Sequence, residues 1–295
     1  VTATRPVETV EEGSAMPERR RKFGRVLPDR LRRTGRPHPL GELAFTLGLY
    51  LVYRRIRLYV PSHRTAALHR AREIWHDERL LHINVELALN HAVDRVTWLV
   101  VGMNYYYATL HFVVTPLTLI WLYAFRPDRY RAGRTALFSA TLLALLGFAF
   151  FALAPPRFLP DDGFIDTVIV HHTFGSWGSG PVSTVSNLYA AMPSVHIVWA
   201  AWSGLTVAFL ARSTWIRVLG ALYPVATLVV ILATGNHFIA DAVGGALTLA
   251  VGFLIQRLLS GKPAYRTPGD RRQDRSGPPL APGRRLSPTS GGSAG

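Results

Sequence analysis

The chain has 295 residues, 49% of them hydrophobic and only 17% charged, with 33 Lys and Arg against 18 Asp and Glu for a net charge of +15. With about half its residues hydrophobic and so little charge, the chain looks less like a soluble domain than like a polytopic membrane protein, and the distribution of the charge decides it. Cysteine is absent, which excludes disulfides, thiolate metal sites and cysteine nucleophiles.

From the amino end, residues 1–38 carry Arg19-Arg20-Arg21-Lys22 and Arg32-Arg33 among several prolines and read as a disordered basic cytoplasmic tail. No cleavable signal peptide is visible, because no short isolated apolar core ending in small residues follows the basic stretch. Residues 40–60 come next: 43–53 is apolar, and Arg54, Arg55 and Arg57 interrupt the second half. This is a first span with snorkelling arginines or an interfacial helix. We read it as a span, for the parity reason given below. Between 62 and 95, five arginines alternate with Glu73, Asp77, Glu78, Glu86 and Asp94. The spacing of Leu80, Ile83 and Leu87 predicts an amphipathic helix lying on the bilayer surface.

Residues 96–125, 135–156 and 218–240 contain no Asp, Glu, Lys or Arg, and each meets or exceeds the roughly 20 residues a spanning helix needs. Shorter apolar runs at 195–211 and 238–256 complete the set. Residues 261–295, rich in Gly, Pro, Ser and Arg, read as a disordered C-terminal tail. Arg126, Arg129, Arg131 and Arg134 fall between two spans and Arg212 and Arg217 between two others, so those loops belong on the cytoplasmic side. Residues 155–193 hold Arg157 as their one basic residue other than histidine, and the turn at 234–236 has none. Both face the opposite side. Six crossings with both tails inside satisfy this pattern, provided that residues 40–60 cross; the five arginines of 62–95, which this places outside, resist it and are partly offset by the acids among them. The expected fold is an all-α polytopic integral membrane helix bundle of about six transmembrane helices, with its transmembrane domain at 39–260. The basic charge suits anionic lipid rather than nucleic acid, since no aromatic platform is interleaved with it.

Two polar islands stand at the mouths of these spans, and ionisable groups at membrane depth are expensive and by default functional. In Asn236-His237-Phe238-Ile239-Ala240-Asp241, His237 and Asp241 are four apart and would share a helix face. A carboxylate on one ring nitrogen fixes the tautomer and frees the other for attack; a structural hydrogen-bonded pair reads equally well from this spacing alone. In Pro193-Ser194-Val195-His196 the proline suits a first helical turn, which would aim backbone N–H groups and the Ser194 hydroxyl at one point, a place for a phosphate. The plainer reading is an N-cap beside an interfacial histidine. Arg157, after Ala154-Pro155-Pro156 on the same side, can grip phosphate oxygens or simply snorkel.

The order arginine, Pro-Ser-x-His, His-x-x-x-Asp resembles the type 2 phosphatidic acid phosphatase superfamily. Asn104-Tyr105-Tyr106-Tyr107 with His111, Arg126-Pro127-Asp128-Arg129-Tyr130, Ala154-Pro155-Pro156-Arg157 and Met192-Pro193-Ser194-Val195-His196 resemble more narrowly its inositol phosphorylceramide synthase-like branch. The resemblance covers residues 65–258. It implies that His237 is the nucleophile that becomes phosphorylated, held by Asp241, that His196 protonates the leaving alcohol, and that Ser194 and Arg157 grip the phosphoryl oxygens. No metal or other cofactor is implied. Three departures stand out: Val195 replaces a glycine, Ile231 occupies the position of an arginine, and no lysine precedes Arg157. His171, His172 and Asn236 are candidates to compensate.

The expected protein is thus a multi-pass enzyme of the cell membrane, its active site opposite both tails, acting on a lipid phosphate or phospholipid within the bilayer. It would transfer the phosphoryl or phospho-headgroup to an alcohol, as an inositolphosphotransferase does, or to water. Residues 155–193 would form a partial lid, flexible at Gly175, Gly178 and Gly180, with Phe174 and Trp177 facing the lipid. The alternatives are a lipid phosphate phosphatase only, or a non-enzymatic transporter or lipid-binding protein; duplicated, Gly/Pro-broken half-helices that would mark a transporter are not found.

Overall fold

A computed structural model describes residues 37–59, 64–173, 189–261 and 263–265. The proposed tails fall almost wholly outside the described residues, as do Phe174, Gly175, Trp177, Gly178 and Gly180 of the expected lid. What is described is helical: α1 (Pro39–Tyr59), α2 (Arg64–Leu80), α3 (Glu86–Asp94), α4 (Thr97–Phe125), α5 (Pro127–Phe150), the short α6 (Thr167–Val170), α7 (Val195–Leu210), α8 (Thr214–Ala233) and α9 (Ile239–Ser260). The described residues include one isolated bridge, Leu153 to Ala190, and no strand. α4, α5, α8 and α9 are each long and apolar enough to cross a membrane, and α7 and the first part of α1 are shorter apolar helices. This is an all-α membrane bundle.

Inside the bundle the contacts are made by small residues, as expected where lipid removes any hydrophobic drive between helices. α5 buries Gly133, Ala136, Ala140 and Ala144, and α9 lays Gly245 and Gly252 on its inner side. Leu122, Leu137, Val198, Trp202 and Leu249 fill the centre, where the Trp202 indole donates to Gly133 O at 2.9 Å. α5 begins at Pro127, eight residues before the charge-free run, because a helix continues through its basic headgroup-level turn. It stops at Phe150, where Ala152–Ala154 turns extended: Leu153 N donates to Tyr189 O and Ala191 N to Leu153 O.

α1 is one continuous helix, and its pairings fix its direction. Glu42 bonds to Arg134 and Tyr130, while Phe45, further along, meets Phe138, further along α5. α1 and α5 therefore run the same way. The bundle has two distinct ends. One gathers Pro37, Tyr123, Arg126 and Leu210, through the bonds Tyr123 Oη to Pro37 O and Arg126 to Leu210 O, and Tyr265, whose hydroxyl meets Thr206. The other gathers α2, α3, residues 152–173 and the starts of α7 and α9.

The expected surface helix through Leu80, Ile83 and Leu87 is corrected. α2 closes at Leu80 with Ile83 N donating to Glu78 O and His82 N to Arg79 O, His82 being left-handed at φ 57°, the geometry of a Schellman stop. Ile83 lies in that turn and Leu87 belongs to the separate α3. The buried stripe of α2 is instead Ala67, Ala71, Trp75 and Glu78, and it packs on protein: with Leu153, Leu159, Phe164 and Phe238 it forms an apolar cluster over the helix starts.

Candidate active site

α8 ends in a tight turn. Gly235 takes φ +63°, and Asn236 N and His237 N both donate to Ile231 O at 3.0 and 3.1 Å. His237 thus stands in the turn before α9, not on the helix as the four-residue spacing suggested. Its contact with Asp241 arises from capping. Asp241 is the third residue of α9, and its Oδ2 accepts from the N–H of the N-cap residue Phe238 at 2.9 Å while facing His237 Nδ1 at 3.2 Å. An ionised carboxylate only accepts, so Nδ1 carries the ring proton and Nε2 the lone pair. The pair is buried, His237 3% and Asp241 0% exposed.

α7 starts alongside. Ser194 is its N-cap, with Oγ accepting from Ile197 N at 3.4 Å, and Ser194 N donates to Asp241 O at 3.0 Å. That bond locks the two helix starts together. It leaves no room between them: a Cβ on Gly245 would stand 2.5 Å from Ser194 O. His196, in the first turn of α7, brings Nδ1 to 3.3 Å from His237 Nε2. The four motif residues Ser194, His196, His237 and Asp241 are therefore contiguous.

Two residues of α4 complete this corner. Tyr107 stacks on His196 with ring centroids 4.1 Å apart and planes 23° from parallel, and His111 meets the same imidazole edge-on at 4.4 Å. The sequence reading assigned neither a role. Their signal was a tyrosine and a histidine four apart in a charge-free span. Asn104, three residues before Tyr107, donates to Thr167 O and Thr173 Oγ1 and so fastens α6 to α4.

Arg157 lies in a 3-10 turn (Pro156–Phe158), and its N–H donates to Gly235 O at 2.8 Å, two residues before His237. Its guanidinium is turned to Asp166, with Nη1 3.0 and 3.1 Å from the two carboxylate oxygens; its Nε has no partner among the described residues. Asp166, which the sequence reading missed, also caps α6 by accepting from Val168 N and Ile169 N. The residues suggested to compensate stand as follows. His171 Nε2 is 2.8 Å from Asp94 Oδ1, Asn236 donates to Thr234 Oγ1, and His172 is exposed. Ile231, where the resemblance leads one to expect arginine, is fully buried against Ile197, Leu232 and Ala242. Among the described residues no group of three or more His, Asp or Glu is arranged to hold a metal.

Two further acids reach this corner from the covering helices: Glu86 Oε1 accepts from Ile239 N and Glu78 Oε1 from Ala240 N, each at 2.8 Å. Burial, and next the neighbouring Glu86 carboxylate, push Glu78 up to about 8.

A search of the curated proteins and one of the solved structures found no match. A family model of the PAP2 superfamily matches residues 72–255, from within α2 to within α9. That stretch takes in every residue of the corner just described and more than half of the chain, and on that match the protein belongs to the PAP2 superfamily.

Proposed function

We propose that the protein is a lipid phosphotransferase that takes a phospho-headgroup from a lipid donor onto His237 and passes it to an alcohol acceptor. Membership of the PAP2 superfamily supports a phosphatase- or phosphotransferase-type enzyme of lipid phosphates. The observation that carries the reading is the chain Asp241 to His237 to His196, with bonds of 3.2 and 3.3 Å, at one end of an apolar bundle.

His237 Nε2 attacks phosphorus, and the bond from phosphorus to the lipid alcohol oxygen breaks. His196, entering as the imidazolium, gives its proton to that leaving oxygen. The Tyr107 ring stacked on it fixes the plane of the imidazole. The N-phosphorylated His237 carries a positive ring whose Nδ1–H is held by Asp241. Neutral His196 then takes the proton from the acceptor hydroxyl, whose oxygen displaces Nε2 and restores the site. Ser194 Oγ, which accepts from Ile197 N, keeps its own proton to donate to the phosphoryl oxygens, and Arg157 supplies charge.

The charges favour a phosphodiester donor over a phosphomonoester. Arg157 is already paired with Asp166, apolar Ile231 fills the position of an expected cation, and Asp241 and Glu86 stand nearby as acids rather than cations. A singly charged diester suits such a surrounding better than a dianion. This agrees with the resemblance to the inositol phosphorylceramide synthase-like branch. The lipid substrate enters from the bilayer, and the site lies on the face of the membrane opposite both tails.

The test is to incubate the purified protein with phosphatidylinositol and phosphatidic acid, each labelled at phosphorus, with and without inositol and long-chain alcohols. The expected result is an acid-labile phosphoryl label on His237 and acceptor-dependent release of diacylglycerol from the diester. Release of inorganic phosphate from phosphatidic acid alone would make the protein a lipid phosphate phosphatase. No labelling of His237 by either lipid would overturn the mechanism.

A further inference from the structure

α9 begins beneath three carboxylates, one for each of three successive amides: Asp241 on Phe238, Glu86 on Ile239 and Glu78 on Ala240. All three acids are buried. Burying such a group is costly unless it is paired, and a single Ser, Asp or Asn N-cap from the chain itself serves an ordinary helix start. Burial, and next the neighbouring Glu86 carboxylate, push Glu78 up to about 8, and the second oxygens of the two acids, Glu78 Oε2 and Glu86 Oε2, have no hydrogen-bond partner among the described residues. Each acid offers one oxygen to α9, and a carboxyl oxygen can accept whether or not the group is ionised.

The source of these oxygens matters. α2 also accepts Ala154 N at Ala67 O, and α3 holds the segment before Asp166 through Asn90, whose side chain accepts from Ile165 N and donates to Ile165 O and Ala233 O. The helices that cap α9 thus also hold the loop that carries Arg157. One rigid layer sets both the turn of His237 and the position of the guanidinium.

We propose that Glu86 and Glu78 are positioning residues for the His237–Asp241 dyad: reaching in from α3 and α2, they hold the first turn of α9 by its backbone amides and register the nucleophile against the Arg157 loop. The inference rests on the reading of His237 as the nucleophile. What the role requires is an acceptor oxygen at fixed reach, not a negative charge. Glutamine in place of Glu86 keeps that oxygen at the same reach. Aspartate keeps the charge but withdraws the oxygen by one methylene. A misplacement of about 1 Å at a reacting group costs on the order of a hundredfold in rate.

The experiment compares Glu86→Gln, Glu86→Asp and Glu86→Leu in the full-length protein. Turnover of fluorescent phosphatidylinositol gives kcat and KM, thermal unfolding reports stability, and diethylpyrocarbonate modification of His237, read by peptide mass spectrometry against exposed His69, reports nucleophilicity without any lipid. Expected are Glu86→Gln within about threefold of the unaltered protein, and Glu86→Asp and Glu86→Leu at least about tenfold lower in kcat, with KM little changed and His237 modified more slowly. If Glu86→Leu does not fold, the Gln and Asp pair decides. Loss of stability in Glu86→Asp with kcat and His237 reactivity unchanged overturns the proposal, and so does a Glu86→Gln variant as impaired as Glu86→Asp. If the unaltered protein turns over no lipid while His237 reactivity follows the stated order, the positioning role stands and the reading of the reaction falls.

Discussion

At the start of α7 a single neutral hydroxyl, Ser194 Oγ, reaches a first-turn amide, and only at 3.4 Å; at the start of α9 three carboxylates reach three amides at 2.8–2.9 Å. Both starts carry a motif histidine and both face the same corner, joined by the bond from Ser194 N to Asp241 O. A helix N-terminus attracts anions through its amides and its dipole. α9 has met that attraction with its own protein's carboxylates, and the lightly capped α7 retains it for a ligand. The difference divides the labour in the proposed reaction: the α7 start receives the phosphate, and the sealed α9 start holds the nucleophile still in a negative surrounding that favours its phosphorylated, cationic form.

The largest expected effect removes the nucleophile from the sealed side. His237→Ala should lower turnover by about four orders of magnitude or more while the protein still purifies with an unfolding temperature close to that of the unaltered chain. The α9 cap is made by backbone amides and survives the change. Turnover near the unaltered level would end the distinction between the two helix starts. On the α7 side, His196→Ala should slow a poor lipid leaving group by about a hundredfold or more and an activated aryl phosphodiester far less. Equal losses on both would assign His196 to binding alone.

Next comes the cation. Arg157→Lys keeps the charge and loses the planar fork, and by analogy with other preorganised donors should cost about 2–4 kcal/mol of transition-state stabilisation, read as a fall in kcat/KM. An unaltered kcat/KM would mean that the α7 start holds the phosphate without Arg157.

The seam between the two starts can be forced open. In Gly245→Ala the new methyl meets Ser194 O at 2.5 Å and Ile197 Cβ at 3.2 Å, whereas in Gly252→Ala it meets Ala136 O at 2.7 Å, away from the corner. Both overpack α9 and should cost about 1–3 kcal/mol of stability. Only Gly245→Ala should also lower kcat of the folded fraction, by about tenfold. Equal kcat in the two variants would show that the spacing of the helix starts does not matter to the reaction.

What the sequence disclosed followed the range of the interactions. Asp241 and His237 are near neighbours in the chain, so their pairing was legible, although the spacing suggested a helical face and the contact is in fact a capping one. Ser194 as an N-cap was legible from Pro193-Ser194 for the same reason. Glu78 and Glu86 were not, because the amides they cap lie 162 and 153 residues away; by charge pattern they read as partners offsetting surface arginines. Asp166 was hidden likewise, since nothing local marks an acid as the resting partner of Arg157. The bundle itself was legible from charge-free length, and the direction of α1 came only from its pairings with α5, which charge counting along one segment does not reveal.

The smallest effect expected concerns that resting partner. Asp166→Asn should loosen the hold on the Arg157 guanidinium, removing the charge and the Oδ2 bond, while keeping the α6 cap, because the asparagine side-chain oxygen in the place of Oδ1 still accepts from Val168 N and Ile169 N, and Asn and Asp serve about equally as N-caps. Stability should therefore change little. One negative charge leaves the neighbourhood of the phosphate, which helps a dianion more than a monoanion. The ratio of kcat/KM for phosphatidic acid to that for phosphatidylinositol should rise by about three- to tenfold, since the Arg157–Asp166 pair is partly open to solvent and part of the gain is screened. Measuring both lipids in the same vesicles checks this directly. An unchanged ratio would mean that Asp166 serves only to shape the loop, and the preference for a diester would have to come from the apolar Ile231 corner and the carboxylates beneath α9.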